Sequence, residues 1–285
     1  MLCKNPYMAV SGPVSCGQCM PCRFNRRRLW THRLMLESLT HKENCFVTLT
    51  YNNDHHPIDG SLDPRHLQLW IKRLRKRLHP TRVRYYAVGE YGDDTQRPHY
   101  HLALFGVGYG CKQALEETWE KGFVMVGDLN FKSAQYIAGY VTKKMTKKDD
   151  PRLNGRHPEF ARMSNRPGIG ALAMEVIASS MITKDGEILG LDDDVPEHLR
   201  HGGKKWPLGR YLKRRLRKEL RTDEDTPKST LQRWKAEVSS LREDFLDNSS
   251  HEKAVNFKEF ILGLNLQKVR NFESKAKIYN QRRSL

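Results

Sequence analysis

From residue 45 onward, the apolar positions of this chain switch between a period of two and a period near 3.6. Cys45-Phe46-Val47-Thr48-Leu49-Thr50-Tyr51 is β-branched and aromatic and predicts a strand. Asp63-Pro64 supplies a helix N-cap and a first-position proline. Leu67, Trp70, Ile71, Leu74 and Leu78 then recur at helical spacing. Strands are predicted over 83–90 and 99–105, joined by a turn-rich segment with Gly92 and Pro98. Residues 111–121 read as a second helix, 123–126 as a fourth strand, and 133 to 147 as a third helix. The order strand, helix, strand, strand, helix, strand, helix is the split βαβ, ferredoxin-like or RRM-like pattern with one helix added. It predicts an α+β fold with an antiparallel sheet and helices packed on one face.

The flanks are patterned differently. Residues 1–25 carry Gly, Pro and four cysteines and read as an irregular, stapled segment. Residues 23–41 place Arg26, Arg27, Arg28 and Arg33 beside Leu29, Trp30, Leu34, Leu36 and Leu39, a helix with one basic side. Beyond 148 the periodicity weakens; 149–210 carries scattered Pro and Gly, and 208–221 is strongly basic, with Arg214 and Arg215 at its centre. From 230 to 285 the chain reads as helical. The expected organisation is a Cys-rich basic start (1–42), a core (43–148), a loop-rich extension (149–229) and a mostly helical C-terminal region (230–285).

Composition sharpens the choice of partner. Lys plus Arg number 50 against 33 Asp plus Glu, a formal charge of +17. That balance points to a polyanion. No apolar run approaches the roughly 18 residues of a spanning helix, and the start lacks a signal-peptide core. The expectation is therefore nucleic acid, no membrane, and a cytoplasmic protein.

Three clusters carry candidate chemistry. In Pro98-His99-Tyr100-His101-Leu102, strand alternation points His99 and His101 to one side and Tyr100 and Leu102 to the other. Two imidazoles at this spacing can share a divalent cation. Glu90 ends the preceding strand, and a hairpin would bring it alongside as the third ligand, a set suited to Mg²⁺ or Mn²⁺. In Tyr136-Ile137-Ala138-Gly139-Tyr140-Val141-Thr142-Lys143-Lys144, helical geometry puts Tyr136 and Tyr140 on one face with Lys143 and Lys144. The stripe of Ala134, Ile137, Ala138 and Val141 lies roughly 140° away, so the tyrosines need not be core residues. A phenol can attack a phosphodiester once a cation polarises it. Finally, Cys16-Gly17-Gln18-Cys19-Met20-Pro21-Cys22 with Cys3 could supply four thiolates to a structural Zn²⁺. Free thiols and an iron–sulfur cluster are the alternatives. Trp30, Trp206, Tyr211 and Trp234 lie near basic residues, where they could stack bases.

The histidine and tyrosine motifs in this order, with Phe46-Val47-Thr48-Leu49-Thr50 upstream, resemble the three motifs of HUH endonucleases, the rolling-circle replication initiators. The Tyr-x3-Tyr-x2-Lys-Lys form is similar to that of the two-tyrosine initiators of microviruses. The Cys-Gly-Gln-Cys-Met-Pro-Cys start, Gly89-Glu90-Tyr91-Gly92, Pro158-Glu159-Phe160 and Arg166-Pro167-Gly168-Ile169-Gly170 resemble the gokushovirus branch, single-stranded DNA phages of bacteria. The resemblance covers about residues 1–175. It implies the HUH nuclease fold, with a cation on His99, His101 and Glu90. It further implies attack by Tyr136 or Tyr140 on a single-stranded or extruded origin, a 5′-phosphotyrosine link, and a free 3′-OH that primes host polymerase. Rejoining by the second tyrosine would close a circle within one monomer, with Lys143 and Lys144 near the phosphate. Arg26, Arg27, Arg28, Arg166, Arg214 and Arg215 are the candidate DNA contacts. The host bacterial cytoplasm is the expected compartment, and a host replicative helicase an expected partner of the C-terminal region. A non-catalytic, zinc-stapled single-strand binder and an HUH transposase or plasmid initiator are the competing readings.

Overall fold

The computed structural model describes residues 2–9, 12–140, 149–185, 187–188, 194–248 and 256–281. The chain opens with two short strands, β1 (Tyr7–Ala9) and β2 (Gly12–Val14), and helix α1 (Met20–Ser38). There follow β3 (Asn44–Tyr51), α2 (Pro64–Arg77), β4 (Arg84–Tyr91), β5 (Pro98–Phe105), α3 (Lys112–Trp119), β6 (Gly122–Asp128) and α4 (Phe131–Tyr140). The remainder holds β7 (Phe160–Met163), α5 (Ala173–Met181), β8 (His198–His201), β9 (Lys204–Pro207), α6 (Gly209–Glu219), α7 (Lys228–Asn248) and α8 (Phe257–Gln281).

The chain divides into two compact units. One comprises Arg27–Leu189 and Glu197–Leu220 and contains a five-stranded antiparallel sheet of order β6-β3-β5-β4-β7. Its first four strands are those expected, in ferredoxin-like order. The fifth, β7, comes from the stretch read as loop. Four residues with no apolar alternation leave no strand signal; pairing of 160–163 with β4 makes the strand.

Strand alternation gives the sheet two core faces. Cys45, Val47 and Leu49 of β3 with Tyr100, Leu102 and Leu104 of β5 pack under Leu67, Trp70, Ile71 and Leu74 of α2 and Leu115 and Trp119 of α3. The α2 residues include four of the five whose spacing predicted the helix, and Asp63 caps it by accepting from Arg65 N and His66 N. The opposite face carries Tyr86 and Val88 of β4 and Ala103 and Phe105 of β5. These pack against Leu34 of α1 and Ala134, Ile137 and Ala138 of α4. The α+β class is as expected, but helices cover both faces rather than one. The reason is that β4 and β5 are apolar on both sides, as strands buried twice must be.

One buried ion pair ties this second face together. Arg84 of β4 donates to Glu37 of α1, both almost fully buried. The other Glu37 oxygen accepts from Gly170 N at 2.6 Å, and Arg84 donates to Pro167 O at 2.8 Å. The Arg166-Pro167-Gly168-Ile169-Gly170 segment is thus clamped by a helix and a strand. Gly170 has φ +82°, and a side chain there would meet Arg33 O at 3.0 Å, so the clamp requires glycine.

The second unit comprises Met1–Arg26, Gly190–Pro196 and Arg221–Leu285, so it joins the two ends of the chain. The β1–β2 hairpin lies on α7, where a Cβ at Gly12 would approach Val238 to 2.6 Å. Phe24 packs edge-on against Phe272 of α8 at 5.1 Å, and Lys4 pairs with Glu273 at 3.2 Å. Among the described residues no helix is long and apolar enough to cross a membrane.

Burial pushes the Glu37 carboxyl up, but His41, Arg84 and the Gly170 amide outweigh it and hold it below its ordinary value of 4.5. An acid with a depressed native pKa stabilises the fold above its unfolded pKa and loses that stabilisation as pH falls. Glu37→Gln, which leaves Arg84 buried without its charge partner, should cost about 3–5 kcal/mol at neutral pH. In urea titrations the gap from wild type should shrink as pH drops below about 4.5.

Candidate active site

The sheet register assembles the site. Glu90 faces His99 across β4 and β5, and Val88 faces His101. All of these side chains project to the α4 side of the sheet. Glu90 Oε1 lies 2.8 Å from His99 Nε2 and 3.0 Å from His101 Nε2. Glu90 and His101 are buried and His99 half-buried. One ligand atom from each falls within 4.8 Å of the others.

Neighbours outside the trio fix its imidazoles. His99 Nδ1 donates to Arg97 O at 3.1 Å, so its other nitrogen is the one turned to Glu90. With Nδ1 already carrying a proton, the Nε2–Oε1 contact needs either a second proton or a cation in its place. His101 Nδ1 is hydrogen-bonded to Thr48 Oγ1 at 2.8 Å. The His101 ring lies between Phe46 and Tyr140, nearly parallel to each, with centroids at 5.6 and 5.5 Å. Thr48 and Phe46 were visible only as a strand motif; facing positions in two strands far apart in sequence give no signal until they pair.

Helix α4 delivers the tyrosines. Asn130 caps it, its Oδ1 accepting from Lys132 N and Ser133 N while Asn130 N donates to Ser133 Oγ. Tyr136 Oη stands 3.3 Å from His101 Nε2 and the residue is 38% exposed. Tyr140 is half-buried and packs against the second core cluster. Helical-wheel arithmetic separated both tyrosines from the core; the sheet curls beneath the last turn and takes in Tyr140. The two rings meet edge-on at 4.9 Å. Burial first, then the hydrogen bond with Tyr136 and the Glu90 charge, push the Tyr140 phenol well above its usual value. A cavity of about 220 Å³ opens beside the pair, lined by Glu90, Tyr140, Glu159 and Phe160 among others. Lys143 and Lys144 lie outside the described residues.

The cysteines converge as well. Cys3, Cys16, Cys19 and Cys22 bring their sulfurs within 4.8 Å of one another, with close approaches of 3.4, 3.9 and 4.0 Å, and none forms a disulfide. Amides of Gln18 and Cys19 point at the Cys16 sulfur, that of Cys16 at Cys3, and that of Lys4 at Cys19. The two amides hold the Cys16 thiol down at about 6, while burial pushes Cys22 up to about 12. This set can hold one thiolate-bound metal ion.

The candidate arginines have varied surroundings. Arg26, Arg166 and Arg214 are exposed. Arg27 donates to Gln135 O at 2.8 Å, bracing α4; Arg28 donates to Lys205 O at 2.7 Å; Arg215 pairs with Glu219 at 2.8 Å. Of the four aromatic candidates, Trp30 and Tyr211 flank the Arg33 guanidinium at 4.2 and 4.7 Å, and Trp206 is buried against Phe131. Trp234 is 40% exposed.

Fold and site together define an α+β protein with a cation-ligand trio and two phenols on one sheet face. The family model for the phage replication-associated protein ORF2 matches residues 44–149, the span that holds all of these residues. The chain is 31% identical to replication-associated protein ORF2 of Spiroplasma virus 4, over 75% of this chain and 71% of that one. It is 28% identical to replication-associated protein VP4 of Bdellovibrio phage phiMH2K, over 67% of each, and 31% identical to replication-associated protein ORF4 of Chlamydia phage 1, over 47% and 39%. No solved structure matches. The chain belongs to this family of phage replication-associated proteins, replication initiators of the Microviridae type.

Thr48→Val removes the hydroxyl that orients His101 and leaves the ligands in place. It should weaken Mn²⁺ binding about 10- to 100-fold, read from free Mn²⁺ by electron paramagnetic resonance. Unchanged affinity would remove Thr48 from the site.

Proposed function

We propose that the protein is an HUH-type, site-specific single-strand DNA endonuclease and strand transferase that starts rolling-circle replication of a phage genome. The observation that carries this reading is the meeting of Tyr136 and Glu90 at one imidazole nitrogen, His101 Nε2, at 3.3 and 3.0 Å. A nucleophile and a cation-binding set this close can act on one phosphate. Glu90, His99 and His101 fit Mg²⁺ or Mn²⁺: adjacent ligands of an octahedral ion at about 2.1 Å stand about 3.0 Å apart, as the nitrogens do from Glu90. When bound, such an ion polarises a phosphoryl oxygen and offsets the Glu90 charge.

Tyr136, the more exposed phenol, attacks the origin phosphate. Its oxygen bonds to phosphorus, the bond to the 3′ oxygen breaks, and the phenol proton leaves to water. The products are a 5′-phosphotyrosine and a free 3′-OH for host polymerase. Tyr140 cleaves the regenerated origin, and the new 3′-OH attacks the first linkage, closing a circle within a monomer. Lys143 and Lys144, next in sequence, are assigned to the phosphate charge. Arg26, Arg27, Arg28, Arg166, Arg214 and Arg215 are assigned to the DNA backbone. The setting is the host bacterial cytoplasm, with the helical C-terminal region recruiting the host helicase.

Cys3, Cys16, Cys19 and Cys22 are assigned to structural Zn²⁺. Thiolates around tetrahedral zinc at 2.3 Å stand about 3.8 Å apart, within the observed 3.4–4.0 Å. A multi-iron cluster would spread them around a larger core. Purified protein should hold one zinc per chain, lost in Cys16→Ser plus Cys19→Ser with lower Tm. Zinc-free protein of full stability, or iron–sulfur absorbance, would refute this assignment.

Labelled single strands tiled across the cognate genome, incubated with Mn²⁺, test the reaction. A denaturation-resistant adduct should form, persist in Tyr140→Phe, fall at least about 100-fold in Tyr136→Phe, and vanish in the double variant. A double variant that still nicks would sink the tyrosine mechanism. A protein that binds every strand and joins none would be a single-strand binder.

A further inference from the structure

Two large apolar side chains stand in solvent on the same sheet face as the site. Phe123 and Met125, on edge strand β6, are 70% and 67% exposed. Their intervening and following neighbours Val124 and Val126 turn the other way and pack against the first core cluster. In the register, Phe123 faces Thr50, Thr50 faces His99, and His99 faces Glu90. In the next row Met125 faces Thr48, and Thr48 faces His101. Phe123 and Met125 therefore lie two strands from the histidines, about 10 Å at 4.8 Å per strand. Only the short, half-buried Thr48 and Thr50 lie between. Helix α4 covers this face over β4 and β5, burying Ala134, Ile137 and Ala138, and leaves the β6 margin uncovered.

We propose that Phe123 and Met125 form a base-stacking platform for the unpaired nucleotides next to the reacting phosphate. Single-stranded DNA would cross the sheet from β6 over the two threonines to the Glu90, His99 and His101 trio. Three features choose this occupant. The strip is continuous with the trio, the ring offers an exposed face of the kind bases stack on, and the chain carries +17. Aromatics beside basic residues were the sequence cue for stacking, yet Trp30 and Tyr211 flank an arginine instead; Phe123 has a cue only in the sheet register.

The inference rests on the proposed nicking function for where the phosphate sits, so binding is read without metal. The probe is a fluorescent oligothymidylate of about 16 nucleotides, in EDTA, by anisotropy. Phe123→Ala should raise Kd about 5- to 150-fold, the worth of one base–aromatic stack. Phe123→Trp should keep wild-type binding and Phe123→Leu should resemble the alanine variant. All three should keep the wild-type Tm, since the ring packs against little. Wild-type Kd in Phe123→Ala, or full binding by Phe123→Leu, overturns the platform. So does a change in oligomeric state with DNA binding intact, which would make the strip a contact between copies. Loss of binding in Phe123→Ala from a protein that never nicks would overturn the reaction and leave the platform standing.

Discussion

Slide β5 by one residue against its neighbours and His99 and His101 would enter the α2–α3 core, while Tyr100 and Leu102 would replace them under α4. Side-chain period two makes register an all-or-none property. Here it is held from both sides, by β3 and β4 along the whole strand, and by the Tyr100 hydroxyl, which meets Tyr51 Oη at 2.7 Å and donates to Asp63 O at 2.9 Å. That clasp also fixes the N-cap of α2. The same alternation that buries Tyr100, Leu102 and Leu104 therefore aims the two imidazoles at Glu90.

The α4 face combines two demands that pull apart. It must bury enough apolar surface to hold α1 and α4, and it must keep a carboxylate, two imidazoles and two phenols together. The sequence separates these along the strands. Tyr86, Val88, Ala103 and Phe105 form the apolar part, with the Glu37–Arg84 pair bracing it. Glu90, His99 and His101 occupy the end where β4 runs into the hairpin. Tyr140 belongs to both regions, which is why its phenol is raised and Tyr136, one turn earlier, is the one near solvent.

Much of this was legible in the chain itself. Residues whose neighbours are local, such as the α2 stripe behind Asp63-Pro64 or the His-x-His alternation, announce both element and orientation. Glu90 followed from the hairpin, the nearest thing to a local contact. What stayed hidden depends on pairing between distant segments. Strand β7 has no pattern of its own; Thr48 and Phe46 meet His101 only through the β3–β5 register; Phe123 looked like any strand aromatic until the path of α4 left it bare. The helical wheel placed the tyrosines on one face correctly but could not know how far α4 would sink into the sheet. The cysteines lay between, since spacing suggested a site and only folding could bring Cys3 to the other three.

The central claim is that one phenol on α4 and the Glu90, His99 and His101 trio work on the same phosphate. Mass spectrometry of the DNA-linked peptide tests it most directly. After a single turnover with Mn²⁺ and nuclease trimming, the residual nucleotide should map to Tyr136 in wild-type protein. A nucleotide attached to a residue outside α4 would contradict the account.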